Sequence, residues 1–442
     1  MQLLQKINDP AISGEERLAA LREYAASHKA PVVATGESNN HIHTIYSFSP
    51  YSPAMAALKA RDAGLDVAGS VDHDSIGAAG EMLDACEILG LGAVVGFEVR
   101  ASFKDGPFAD RKINNPDSIG YVYMTVQGIP RAAFGRVDRF LQPIRAERRR
   151  RTEQMTTDIN VILQKASFRP LDFERDVLAR SQAAGGGGLT ERHLLAAAAT
   201  SLIETCGKGE ALIAALQQKF GLKIPATVAA WLTDADNPHY LYDVLGLLKS
   251  SLLDRVFIQP DEKECIPATR VIEFAGKIGA IPAYAYLGDV GESPTGDKKA
   301  EKFEDDFIEP LFEELCRMGY RAIAYMPPRN TVEQLRRVQA LCARHGLMEI
   351  SGVDINSSRQ SFNCPELLQP EFRHLNDTTW ALVAHQALVS VDSGLGIFAA
   401  NSPWAALDLP ERLARYAELG RALDCSDIDN SVNREIERMR GE

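Results

Sequence analysis

Three segments, SNNHIHTIYS (38–47), VAGSVDHD (67–74) and GAVVGFEVR (92–100), decide how this chain is read. Between the first two, residues 53–63 carry a helical pattern that stops at Gly64. Between the second and third, 77–89 do the same. Each segment therefore reads as a short apolar strand feeding or following an amphipathic helix. The alternation resumes late in the chain. There the pattern predicts helix 267–278, strand AIPAYAYL (280–287), helix 304–318, strand RAIAYM (321–326), helix 331–345 with Thr331 and Gln334 as its capping box, and strand LMEISGVD (347–354). Strands alternating with helices imply βα units and a parallel sheet, open or closed into a barrel.

Residues 131–256 differ in texture. They are helical in pattern almost throughout, broken by the tetraglycine Gly185–Gly188, and read as an insertion in the α/β domain. The run Arg148–Arg151 sits on a long helix predicted to start near Pro143. Its plain reading is a solvated, ion-paired face. The expected organisation is an N-terminal helical extension (1–35, with Ser13 and Glu16 capping a helix over 13–28), a first barrel part (36–130), the helical insertion (131–256), a second barrel part (257–400) and C-terminal helices (401–442).

At 442 residues, 45% hydrophobic and 24% charged, the chain can bury a large core, which excludes wholesale disorder and a collagen-like fibre. The net charge of −12 argues against nucleic acid or an anionic membrane surface as partner, since both need a dense basic face. A small anionic substrate needs only a locally positive pocket and stays open. Cys86, Cys206, Cys265, Cys316, Cys342, Cys364 and Cys425 are scattered, odd in number and never Cys-x-x-Cys, which suits a reducing compartment. No run of 18 apolar residues occurs, and MQLLQKINDP lacks a signal-peptide pattern, so a cytoplasmic location is expected.

On a strand, side chains two apart leave the same face, so His41 and His43 can converge on one ion. Alone, His-x-His equally suits two polar residues on a surface edge. The other candidates add weight by position. Asp72, His73 and Asp74 close one strand, and Glu98 and Asp354 fall near the ends of two more. The C-terminal ends of α/β strands are where such folds place their active sites. Two histidines with two or three carboxylates match a Zn, Mn or Fe hydrolytic site in ligand type. Asp74 and Ser75 read more simply as caps for helix 77–89.

HIHTIYS, VDHDSIGA and GFEV resemble the opening motifs of the PHP (polymerase and histidinol phosphatase) superfamily. TERHLLAAAA, GKIGAIPAYAYLGD and NTVEQLRRVQALCARHGLMEISGVDIN are similar to its later segments. The resemblance runs from about 39 to 360, with a helical insertion at the expected place. It implies a distorted (β/α)₇ TIM-like barrel of PHP type with an inserted helical subdomain, up to three metal ions, and hydrolysis of phosphate esters. Of nine family ligand positions, His41, His43, His73, Glu98 and Asp354 occupy five. Phe48, Tyr123, Tyr286 and Asn356 stand where the family has an acid and three histidines. His41, His43, Glu98 and Asp354 would complete one metal position. The second loses two ligands to Tyr123 and Tyr286, and the third loses Phe48 and Asn356 but keeps His73.

The expectation is therefore one divalent ion (Zn, Mn or Fe) per chain, with His73 and Asp354 handling protons. Arg100, Arg192 and Arg359 are candidates for binding an anionic small molecule or nucleotide, phosphorylated ones included, because a guanidinium suits phosphate or carboxylate. Arg192 and His193 open a helix capped by Thr190, which adds a favourable dipole. Tyr123, Tyr286 and Asn356 could orient substrate, although ring-filling of vacated pockets explains the tyrosines equally. A non-catalytic binding protein, and a one-metal amidohydrolase-like enzyme acting on a non-phosphate bond, are the competing readings. The acid-rich 301–314 stretch reads as a solvated helix face that could edge a lid with the 288–297 loop.

Overall fold

The computed structural model describes residues 2–28, 32–290 and 301–441; most of the 288–297 loop lies outside them. Strands β1 (Ser38–Ile42), β2 (Val67–His73), β3 (Gly92–Ser102), β4 (Tyr121–Gln127), β5 (Ile281–Ala285), β6 (Ala322–Tyr325) and β7 (Met348–Ser351) form one seven-stranded sheet in sequence order. Helices α1 (Gln2–Ile7) and α2 (Gly14–Ser27) precede it, and α3 (Pro53–Asp62) and α4 (Ala79–Leu89) alternate with the first strands. Then come α5 (Phe134–Lys165), α6 (Glu191–Cys206), α7 (Glu210–Phe220), α8 (Ala226–Thr233) and α9 (Tyr240–Val256). Helices α10 (Ala268–Lys277), α11 (Ile308–Met318) and α12 (Val332–His345) accompany the later strands, and α13 (His374–Val391), α14 (Leu409–Ala422) and α15 (Ile428–Gly441) complete the chain.

Neighbouring strands run parallel except β4, which is antiparallel to both β3 and β5, so the expectation of a parallel sheet is corrected there. The connection 103–120 carries no helix, and a strand that returns without a crossover must return antiparallel. The sheet nearly closes on itself. Just beyond β7, Ile355 bridges Ile42 in parallel, with the His43 amide donating to the Ile355 carbonyl and the Ile355 amide to the His41 carbonyl, both at 3.0 Å. The architecture is a distorted TIM-like α/β barrel with an inserted set of helices.

Strand alternation sorts the core into two layers. Ile42, Ala68, Val95, Phe97, Val99, Met124, Val126, Tyr284 and Ile323 pack with α3, α4 and α10–α12 on one face. Val67, Val94, Ile281, Ala283, Ala322, Ala324, Met348 and Ile350 face the other way, against α13 and the helices after it. Residues an even number of positions along from this second set (His73, Glu98, Arg100, Asp354) share its face at the C-terminal end of the sheet.

The inserted helices bury a separate apolar cluster running from Met155 to Val256. Helix α5 starts nine residues before the expected point and carries Pro143 inside. A proline there removes the hydrogen bond to the Arg139 carbonyl but does not end a 32-residue helix held by packing. The buried stripe of α5 passes through Ile144, Arg148, Arg151 and Met155, so the arginine run is no uniform solvated face. Arg149 and Arg150 are exposed, whereas Arg148 and Arg151 are buried in a charge network.

His385 on α13 is fully buried, with Nδ1 accepting from the Ile397 amide at 3.1 Å. Burial pushes its imidazole down to about 4. The unfolded chain then binds this proton near pH 6.5 and the folded one only near 4, so its contribution to stability is full above 6.5 and falls as pH drops through that window. Wild type should lose about 2 kcal/mol more than His385→Gln between pH 7 and pH 5, measured by urea unfolding at each pH. Parallel losses in the two proteins would refute this.

Candidate metal centre

His41 and His43 flank Ile42, whose side chain is buried in the helix-facing layer, so both imidazoles leave the opposite face. His73 ends β2, and its register partner across β2–β3 is Glu98. The parallel bridge after β7 brings Asp354 beside β1. One barrel end thus collects all five predicted ligands. His43, at 1% exposed, has Nε2 at 3.3 Å from Asp354 Oδ1 and 3.6 Å from Glu98 Oε2, and His41 Nε2 lies 3.7 Å from Glu98 Oε2. His73 Nδ1 is 3.0 Å from Glu98 Oε2. The ligand atoms form two overlapping groups, His41–His43–Asp354 and His43–His73–Glu98.

Within each group the separations suit the ligands of a single ion. Ligand atoms bonded at roughly 2.1 Å in a tetrahedron stand about 3.4 Å apart. His43 Nε2 is buried and has no hydrogen-bond partner among the described residues, although it sits between two carboxylates. A cation would satisfy an imidazole lone pair and both carboxylates together. Burial alone would lower the His41 imidazole, but Glu98 and Asp354 outweigh it and raise it. Burial, with His43, Arg148 and Arg100 nearby, pushes His73 well down.

The other predicted residues divide. Tyr123 shares the site face of β4, its ring 5.8 Å from that of His73. Asn356 donates to Asp354 Oδ1 at 2.6 Å, and Arg192 donates to the Asn356 carbonyl at 3.1 Å, which places Arg192 at the rim. His193 accepts from the Thr190 amide at 3.0 Å and packs edge-on against Phe48. Burial lowers it to about 4. Phe48 itself has φ of 88° and joins the apolar core of the inserted helices. Tyr286 lies with Tyr284 in the helix-facing layer, its hydroxyl donating to Asp305 at 2.6 Å, so strand alternation turns it away from the cluster. Arg359 is held by Asp243 through two hydrogen bonds, with its guanidinium 4.0 Å over the Trp231 ring. Arg100 is on the site face but donates to Glu191 and Glu264 at 3.0 and 2.9 Å.

Asp74 and Ser75 are not caps of α4. That helix has Ala78 at its N-cap, without a side-chain bond. Asp74 instead pairs with Arg148, and Ser75 donates to the Gly186 carbonyl at 2.7 Å. The tetraglycine explains why this loop is occupied. A side chain at Gly188 would put its Cβ 2.1 Å from the His73 carbonyl oxygen, and the Gly188 amide donates to the Tyr46 carbonyl at 2.7 Å. Gly185–Gly188 is a close-packed seam against the loops that follow β1 and β2, which its composition could not distinguish from a linker.

No family model matches the chain, and no curated protein does. Solved structures are similar to it, among them the following two. One is a Bifidobacterium adolescentis protein provisionally named a metal-dependent phosphoesterase, at 18% identity and TM-score 0.49, covering 76% of this chain and 92% of that one. The other is an amidohydrolase from Chromobacterium violaceum with bound sulfate and no metal, at 18% identity and TM-score 0.46, covering 77% and 95%.

Proposed function

We propose that this protein is a PHP-type metal-dependent hydrolase acting on a small phosphate ester, with one divalent ion held by His41, His43, Glu98 and Asp354. The observation that carries the proposal is the buried Nε2 of His43, which lies between two carboxylates and has no hydrogen bond among the described residues. When bound, such an ion polarises a substrate oxygen and brings the pKa of water toward neutrality. His73 and Asp354 are the most open members of the cluster, at 23% and 35% exposed, and are placed to exchange protons with substrate. Arg192, in the first turn of α6, supplies a positive group and a helix N-terminus for an anion at the rim. Tyr123 forms the wall beside His73, and Asn356 orients Asp354.

No helix among the described residues is long and apolar enough to cross a membrane. The seven cysteines are free, which supports a reducing, cytoplasmic setting.

Protein purified without chelator should carry about one Zn, Mn or Fe per chain. It should turn over at least one member of a panel of phosphomonoesters and cyclic phosphodiesters. A chain that stays metal-free after loading with each ion is not a metallohydrolase. Turnover of lactones or amides with phosphate esters untouched would move the reaction to the amidohydrolase-like class.

A further inference from the structure

Beside the cluster, four buried residues form a short hydrogen-bonded chain. His43 Nδ1 lies 3.2 Å from Ser47 Oγ, and Ser47 Oγ donates to Asp72 Oδ1 at 2.6 Å. The same carboxylate accepts from the Thr44 amide and the Thr44 hydroxyl, each at 2.7 Å. His43, Thr44, Ser47 and Asp72 are all at most 2% exposed.

A serine hydroxyl has one proton. Asp72 accepts three hydrogen bonds, one of them from Ser47 Oγ, so the serine proton goes to Asp72, and toward His43 the oxygen can only accept. His43 must then carry its hydrogen on Nδ1, which leaves the Nε2 lone pair facing Glu98 and Asp354. We propose that Asp72 and Ser47 are positioning residues that hold His43 in its Nδ1–H tautomer and aim Nε2 at the cation position. Such outer partners fix ring orientation and raise ligand basicity. The proposal rests on the metal-site reading above and deepens it. It also accounts for Asp72, which lies beside His73 in sequence yet is absent from both candidate ligand groups.

The competing role is bracing of the 43–47 turn, and two variants separate the two. Ser47→Ala cuts the link to His43 but leaves both Thr44 bonds to Asp72. Thr44→Val weakens the brace but leaves the link. The metal-free, full-length chain, labelled with ¹⁵N-histidine, should show His43 protonated at Nδ1 by long-range ¹H–¹⁵N correlation, and Ser47→Ala should show mixed tautomers. Zinc affinity, measured by competition with a chromogenic chelator, should fall about 10- to 100-fold in Ser47→Ala. It should stay within about twofold in Thr44→Val, since the link to His43 is kept. An Nε2–H tautomer in wild type overturns the proposal. So does unchanged zinc affinity in Ser47→Ala, or an equal loss in Thr44→Val. Failure of wild type to bind zinc would instead remove the metal reading, and the tautomer measurement would still decide the relay.

Discussion

His43→Ala is expected to release the metal and reduce hydrolysis to background while leaving the barrel folded. His43 belongs to both candidate ligand groups, whereas His41 and His73 each belong to one. Its Nε2 makes no hydrogen bond among the described residues, so truncation costs the fold no Nε2 partner. The affinity loss should exceed about 100-fold, the upper end of what changing an outer partner does. Elemental analysis after dialysis and turnover of the ester found in the panel measure the two effects. His41→Ala should retain partial occupancy at high zinc, because the His43–His73–Glu98 group survives. Metal content in His43→Ala equal to wild type would place the ion elsewhere.

Glu191→Leu is expected to have the largest effect on stability, about 3–5 kcal/mol, because it breaks a buried ion network from one side. Glu191 opens α6 and receives hydrogen bonds from Arg100 of β3 at 3.0 Å and from Arg148 and Arg151 of α5 at 3.2 and 2.7 Å. Burial pushes this carboxyl up, but Arg100, Arg148 and Arg151 outweigh it and hold it well below the usual range. Without it, three buried guanidinium groups share Glu264 and Asp74. The network joins barrel to inserted helices, so denaturant unfolding should show a lower midpoint or a separate early transition of the inserted helices. Glu273→Ala, which breaks an exposed pair with Lys277, should leave the midpoint unmoved. Matching midpoints for Glu191→Leu and wild type would show that the network contributes no net stability.

Local rules worked where one residue's environment depends on near neighbours. The capping boxes at Ser13 and Thr331 are present, and helix α3 ends before Gly64, which adopts φ of 79°. Period-two alternation put His41 and His43 on one face. The same rule explains a miss. Tyr286 was assigned to the site by resemblance, yet Ala283 faces α13, so Tyr286 three residues on must face the helices. The arginine run was misread because charge composition carries no information about partners more than a hundred residues away, such as Glu264 for Arg151.

By itself, the sequence determined the alternating elements, the helical insertion and the residue types able to hold a cation. These follow from spacing within a few residues, where helix and strand periods act directly. Only the tertiary structure decided which candidates meet. Closure of β1 against Ile355 brings Asp354 to His43, and the antiparallel return of β4 sets Tyr123 beside His73. Packing of the glycine seam and the buried arginines turned Asp74 and Ser75 from caps into joints between barrel and insertion, and Arg100 takes part in the same network. Such pairings depend on contacts between distant segments, and no local period encodes them.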